Sequence, residues 1–452
     1  MDTISIRVES TPRQTFGGMG ASIFPWMPAK LYRKRVPEEQ TAAMAGMLWR
    51  DAHFTNARLW MIPEEYAPAP GKREIRKYVD GYFTSGKLFA ATAAGAKLLV
   101  LAPDRLPAYM GDGHGYIADE QIAPYATLLA NFIADFKAAT GILINRSGLL
   151  NEPNDRPIRL KDEQWPVMIK AYRAALDAAG LGEVGIVAPE SANCGEDAYR
   201  IVKAINADPA ARAALTGFAT HSYNNAATPE MAALTAGKEY WITEAGGMTD
   251  SDEDVGNTVQ AASASARFLN DMNHGATHWQ FFIGAEEADP RGNTARILKY
   301  SFEPFRLTVL RKYDYFHALT DAFETGAVFR HAVSSVDHEM TYTYGRKPRL
   351  NTAAARNPDG TWGIALCNFT ADYFVDPDAP AWYRKQGGVA GRAFGVHISM
   401  PELAVAGTIH FEGRRLAGGS AAASIEQFEM KDGELWIPEL SSLELLTLRS
   451  KP

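Results

Sequence analysis

The sequence predicts an α/β fold, a (β/α)8 TIM barrel with an appended all-β sandwich domain, and three observations lead there. From Thr15 to roughly Phe323, short apolar runs alternate with longer segments of helical period, the pattern of βα units that feed a parallel sheet. Eight such runs can be counted, the number that closes a barrel. After about Ala327 the helical period stops, and short alternating stretches are divided by Gly, Pro and Asn-Pro-Asp-Gly turns, as in an all-β unit.

In chain order the eight runs are residues 16–23, 55–62, 97–102, 142–150, 184–188, 217–222, 240–244 and 278–283. Between the third and fourth, Ile122, Tyr125, Leu128, Leu129, Phe132, Ile133 and Phe136 recur every three or four positions, the buried stripe of a helix. Asp119 is placed as its N-cap and Gly141 as the left-handed residue that ends it. A second helix is expected from about Trp165, with Pro166 in its first turn, to Gly180. The expected division is 15–326 for the barrel and 327–452 for the sandwich. Residues 1–14 hold a strand, 4–8, that has no partner in the barrel pattern and returns to the sandwich. Within the sandwich, 340–344, 361–368, 396–400 and 443–448 read as strands and 417–424 as a loop.

Composition narrows the function classes. With 452 residues, 46% hydrophobic and 22% charged, the chain can bury one large core and a smaller one, which excludes a disordered protein. A net charge of -7, with no basic cluster beyond Arg33-Lys34-Arg35, argues against nucleic acid as a partner. The two cysteines, Cys194 and Cys367, fall in different predicted domains, so no disulfide framework is expected. No apolar stretch of about 18 residues is present to span a bilayer. The N-terminus lacks a basic-then-apolar leader; a native start at Met1 would place the protein in the cytoplasm, and a trimmed leader in a secreted or periplasmic compartment. Oligomeric state is not legible.

A barrel of this kind carries its active site at the C-terminal ends of its strands. The fourth run ends in Asn151-Glu152-Pro153 and the seventh in Thr243-Glu244-Ala245, so each puts a carboxylate where an apolar strand meets its loop. Strands four and seven stand on opposite sides of the barrel, and side chains at their ends can converge across its mouth. Glycoside cleavage with retention needs that arrangement: two carboxyl groups about 5 to 5.5 Å apart, one attacking the anomeric carbon and one protonating the leaving oxygen. Proximity of the two is expected to help keep the acid protonated. A single glutamate after a strand is ordinarily a cap or salt-bridge residue; the pair, in an eight-run pattern, points to catalysis.

These motifs resemble clan A glycoside hydrolases, and specifically family 30, which holds glucosylceramidase-like enzymes, β-1,6-glucanases, β-1,6-galactanases and xylanases. The resemblance covers almost the whole chain. It runs from Gln14-Thr15-Phe16-Gly17-Gly18-Met19-Gly20 and Ala57-Arg58-Leu59-Trp60 through Asn151-Glu152-Pro153, His221-Ser222-Tyr223 and Trp241-Ile242-Thr243-Glu244-Ala245 to Lys312-Tyr313-Asp314-Tyr315-Phe316. It implies Glu152 as general acid/base and Glu244 as nucleophile of a retaining β-glycoside hydrolase that needs no cofactor and no metal. By the same resemblance Asn151 hydrogen-bonds the sugar 2-hydroxyl, Arg58 supports the nucleophile, Tyr223 donates to Glu244 and His221 lines the same wall. Arg58 is as readily a structural ion pair, and His221 a satisfied core histidine.

Trp279 and Trp60 can offer ring faces to a pyranose or serve as barrel packing. Where many family members read Ser-Pro-Pro-x-Trp-Met, this chain has Ala102-Pro103-Asp104-Arg105-Leu106-Pro107-Ala108-Tyr109-Met110, which makes Asp104, Arg105 and Tyr109 candidates for substrate contact and Arg105 a candidate for an acidic sugar. Glu286 and Glu287 read as solvated. Gly17-Gly18-Met19-Gly20 lacks the ending of a phosphate cradle, and Asp112-Gly113-His114 is turn-like without a second ligand set. The expected partner is a carbohydrate substrate. The alternatives are a transglycosylase with the same carboxylates and a catalytically silent carbohydrate-binding barrel.

Overall fold

Residues 2–8 form strand β1 (Asp2–Val8), which takes no part in the barrel. The barrel strands are β2 (Gly18–Ile23), β3 (Asn56–Met61), β4 (Leu98–Pro103), β5 (Arg146–Ser147), β6 (Gly185–Ser191), β7 (Gly217–Ser222), β8 (Glu239–Ala245) and β9 (His278–Glu287). Each lies parallel to the next, and β9 pairs with both β8 and β2, so the ring closes. The computed structural model describes residues 1–223, 225–246, 254–289, 295–336, 350–370, 391–417 and 423–451, without the side chains of 254–257.

All eight expected runs overlap a barrel strand, the fifth and eighth strands running on past the expected ends to Ser191 and Glu287, while the fourth is much shorter than expected. Only Arg146 and Ser147 form a regular ladder; beyond them Gly148 and Asn151 donate their N–H groups to the β4 carbonyls of Leu101 and Pro103, leaving 148–151 irregular. Strands β10 (Arg296–Ser301) and β11 (Arg306–Val309) extend the outer half of β9. Inside the ring, Val100, Val187, Ala219 and Trp241 form a buried plug, and the His278 ring stacks on Trp241 at 3.6 Å. These inward positions set which side chains can rise into the barrel mouth.

The helix Ile122–Thr140 buries the expected stripe, and Gly141, at φ 74°, ends it with its N–H on the Lys137 carbonyl. Asp119 is not its N-cap: a 3-10 turn, Asp119–Gln121, intervenes, and the Asp119 carboxylate instead accepts from the Gln164 side chain at 2.7 Å. That bond ties the start of one helix to the start of the next, Gln164–Ala178, which covers the second expected helix. No helix among the described residues is long and apolar enough to cross a membrane.

The second unit is an all-β sandwich of β12 (Val328–Arg330), β13 (Ala332–Ser334), β14 (Asn351–Arg356), β15 (Trp362–Cys367), β16 (Phe394–Ser399), β17 (Thr408–Leu416), β18 (Ser424–Lys431), β19 (Glu434–Leu440) and β20 (Leu445–Ser450). Strand β1 sits between β16, to which it is parallel, and β13, to which it is antiparallel. Its alternation puts Ile4, Ile6 and Val8 into an apolar cluster with Phe394, Val396, Ile398 and Phe411. Strand β14, Asn-Thr-Ala-Ala-Ala-Arg, carries no β signal of its own; it is a strand because both its faces are buried. The expected strand 340–344 lies outside the described residues, as does most of the expected loop 417–424. Both cysteines are free and buried.

Candidate active site

Three strand irregularities position the carboxylates of the site. Along β7 and β8, Thr220 pairs with Ile242 and His221 with Glu244, so Thr243 is an extra residue. The bulge turns Glu244 to the inward side already occupied by Trp241. On β6 the register likewise skips Glu190, whose φ is 59°. Its carboxylate is fully buried, and a Cβ at residue 148 would lie 1.7 Å from Glu190 Oε2, so the chain has glycine there. Glu152 follows the irregular end of β5 with φ 47°, and its N–H is held by the Glu190 carbonyl at 3.0 Å.

Arg58, buried on β3, joins these groups. Its Nη1 pairs with Glu244 Oε2, while Nη2 donates to Asn151 Oδ1 at 2.7 Å and to Glu190 Oε1 at 3.1 Å. The same nitrogen lies 3.4 Å from His221 Nε2. An arginine can only donate, so that imidazole nitrogen is the acceptor and Nδ1 carries the ring proton. His221 Nδ1 then donates to Glu152 Oε1 at 3.1 Å. Tyr223 donates to Glu244 Oε1 at 2.6 Å. Arg156 Nη2 bridges Glu152 Oε2 at 3.2 Å and Asp104 Oδ1 at 2.8 Å, and Asn151 Nδ2 donates to that same Asp104 oxygen at 3.2 Å. One oxygen of Glu152, one of Glu244 and a ring nitrogen of His221 all lie within 4.8 Å of one another.

Burial raises the Glu152 carboxyl above its ordinary range, against the pull of Arg156 and Arg58, and Asp104 adds to the rise. Desolvation, rather than a second carboxylate close by, is therefore the leading cause. The Glu190 carboxyl is also raised by burial, against Arg58. His221 is pushed down to about 3 by burial, so the ring is neutral at ordinary pH. Burial and the charges of Glu244 and Glu152 hold the Tyr223 hydroxyl well above 10, which keeps it a donor. Burial opposes the charge on Arg58, but Glu190 and Glu244 keep it a cation.

Such a pair, one carboxylate clamped between an arginine and a tyrosine and the other desolvated beside a neutral histidine, suits nucleophile and acid chemistry. Residues 96–295 match the sequence model of glycosyl hydrolase family 59. No curated protein matches the sequence. Among solved structures, the fold is shared with the catalytic domain of a family 30 xylanase C from Talaromyces cellulolyticus, at 16% identity and TM-score 0.70 over 100% of both chains. It is shared with SrfJ from Salmonella typhimurium, at 15% identity and TM-score 0.73, covering 100% of this chain and 93% of that one. The endo-β1,6-glucanase BT3312 is similar at 17% identity and TM-score 0.64, over 99% of this chain and 94% of that one. The sequence match, over residues 96–295, is to a glycosyl hydrolase model, and the solved structures show the fold that this chain shares with them. Family 30, to which the motifs point, is represented among the similar folds, whereas the matching sequence model is that of family 59.

The structure gathers Arg58, Asn151, Glu152, His221, Tyr223 and Glu244 at one point, with Asp104 joined to them through Arg156 and Asn151. Asn151 is fully buried, with its oxygen on Arg58 and one N–H on Asp104, which leaves one N–H for another partner. Trp60 lies beside the cluster: the Arg58 guanidinium sits 4.9 Å over its ring, and its indole N–H donates to Ser22 Oγ. Trp279 does not reach the mouth. Strand alternation turns it outward, where its N–H donates to Asp271 at 2.9 Å and its ring packs against Phe268 and Phe316 of the outer helices. Tyr109 also stands apart, half-buried beside Glu64. Arg105 is mostly exposed and pairs with Asp104. Asp112 accepts from the N–H groups of His114 and Tyr116, the turn its sequence suggested.

Four contributors were not read from the sequence. Glu190 lies near the end of β6 as Glu244 does near the end of β8, but the expected run stopped at Ala188. Arg156 carried no signal in its loop. Phe24 and Trp26, after β2, continue an aromatic wall from Trp60, with ring centroids 5.7 and 6.1 Å apart in succession; Trp26 is 40% exposed. Glu152, His221 and Glu244 also present donor atoms of metal-ligand type, but Arg58 and Tyr223 already occupy the two Glu244 oxygens.

Proposed function

We propose that the chain is a retaining β-glycoside hydrolase of family 30 type, acting on a β-linked oligo- or polysaccharide or glycoconjugate. The observation that carries this reading is the approach of Glu152 and Glu244 to within 4.8 Å, oxygen to oxygen, which suits direct attack on carbon rather than an intervening water. Glu244 attacks the anomeric carbon as Glu152 gives its proton to the leaving oxygen; Glu152 then takes a proton from water as the glycosyl-Glu244 ester is hydrolysed. His221 donates to Oε1 of Glu152, so the transferable proton resides on Oε2, and Arg156 keeps Asp104 as its partner while Glu152 is neutral. The resemblance to family 30 makes the second N–H of Asn151 the donor for the sugar 2-hydroxyl. The aromatic wall of Trp60, Phe24 and Trp26 supports a carbohydrate partner.

The test is a panel of β-linked aryl glycosides, xylan and β-1,6-glucan, with the first-formed anomer read by NMR. Retention is expected, and an inverted first product would overturn the mechanism. Glu244→Gln should lower kcat by on the order of 10⁴-fold or more. Glu152→Gln should cripple turnover of substrates with poor leaving groups and spare much of it for a dinitrophenyl glycoside, which leaves without a proton. A sugar acceptor that outcompetes water in the products would assign transglycosylation instead.

A further inference from the structure

A second cluster stands at the opposite end of the barrel, where the strands begin. His317 and Asp321 lie one turn apart on the helix Arg311–Ala322, and His53 reaches the same point from the segment leading into β3. His53 Nε2 is 3.6 Å from Asp321 Oδ1, and His317 Nε2 is 3.5 Å from Asp321 Oδ2. One donor atom from each of the three lies within 4.8 Å of the other two. The imidazoles meet edge to face, with centroids 6.2 Å apart, so their nitrogens converge on the carboxylate rather than their faces on each other.

At these separations neither imidazole makes a good hydrogen bond, which needs about 2.7–3.2 Å. The spacing suits ligands around a common centre. Zinc–nitrogen and zinc–oxygen bonds of about 2.0–2.2 Å in a tetrahedron put ligand atoms roughly 3.4 Å apart, and small side-chain rotations bring the three donors to that distance. The carboxylate is braced: Arg414 of β17 holds Asp321 Oδ2 at 2.8 Å, and Arg449 of β20 donates to the Asp321 carbonyl at 2.9 Å. Side-chain exposures of 60% for His53, 27% for His317 and 40% for Asp321 leave room for water as a fourth ligand.

We infer that His53, His317 and Asp321 form a binding site for a divalent transition ion, Zn²⁺ foremost, which fastens the last barrel helix to the segment before β3. Two imidazoles and one carboxylate make a nitrogen-rich set that selects Zn²⁺, Co²⁺ or Cu²⁺ over Mg²⁺ and Ca²⁺. The position, on the end of the barrel that serves stability rather than catalysis, makes the role structural. This inference stands independently of the proposed glycosidase activity.

Full-length protein, freed of metal by chelator dialysis, would be titrated with ZnCl2 by calorimetry and with CoCl2 by visible absorption. The expected result is one saturable equivalent with micromolar affinity and a Tm raised by a few degrees in excess zinc. His53→Ala and His317→Gln should each weaken that binding by about tenfold or more and remove the thermal shift, with glycosidase activity unchanged. Glu244→Gln should retain it, because the bound ion is not at the catalytic carboxylates. Absence of saturable binding, binding unaffected by His53→Ala, or binding lost only in Glu244→Gln would overturn the site.

Discussion

One guanidinium, that of Arg58, serves Glu244, Asn151 and Glu190 and approaches His221, using a planar fork that lysine cannot reproduce. The neighbouring cation acts differently. Arg156 shares Nη2 between Glu152 and Asp104 and is one of the charges holding the Glu152 carboxyl down against burial. Arg156→Met removes that charge, so the Glu152 pKa rises further and the acid stays protonated to higher pH. The alkaline limb of the kcat/KM profile should move up. A profile that shifts downward would mean that Arg156 does not govern this proton. Residues of this rank divide by legibility: Glu152 and Glu244 carry a motif at a strand end, whereas Arg156 is recruited by a loop whose path no pattern of apolar residues encodes.

The elements explain why strand ends were legible and side-chain direction was not. Strict alternation from the inward Trp241 would send Glu244 outward; the bulge at Thr243 reverses it, and nothing in Trp-Ile-Thr-Glu-Ala announces a bulge. The same ambiguity left Trp279 open between a sugar face and barrel packing, since only the inward His278 fixes the parity of β9 and turns Trp279 to packing. Along β6 the bulged Glu190 needs the space above residue 148. Gly148→Ala should therefore displace that carboxylate, destabilise the fold by about 1–3 kcal/mol and reduce kcat through Arg58. A variant with wild-type Tm and kcat would show that the site relaxes freely. The loop after β2 makes a separable prediction: Trp26→Ala should raise KM for long oligosaccharides several-fold and leave an aryl monosaccharide nearly unaffected, because Trp26 lies two aromatic rings out from Trp60. Equal effects on both substrates would place Trp26 outside a distal sugar site.

For the whole molecule, buried titratable groups couple stability to pH. His221 and His278 are each pushed down to about 3 by burial, whereas in an unfolded chain they titrate near about 6.5. Keeping them neutral contributes stability that is complete above that unfolded value and drains as pH falls toward about 3, by up to about 1.4 kcal/mol per pH unit for each ring. Asp271, raised to about 6 by burial, has the opposite sign: its contribution is present below its ordinary value and lost as pH rises through about 6. His278→Asn removes one ring's share, so its Tm should fall less steeply than the wild type's between pH 6.5 and 4. Parallel slopes would contradict a neutral His278.

Strand β1 has a consequence in time as well as space. Its parallel neighbour β16 lies far later in the sequence, so during synthesis Ile4, Ile6 and Val8 emerge long before the strand they pair with. The barrel's strands, paired mostly with their nearest successors, can assemble meanwhile. A chain in synthesis thus carries an apolar, unpaired segment until its second unit has been made, and that segment is the point at which a holdase would intervene.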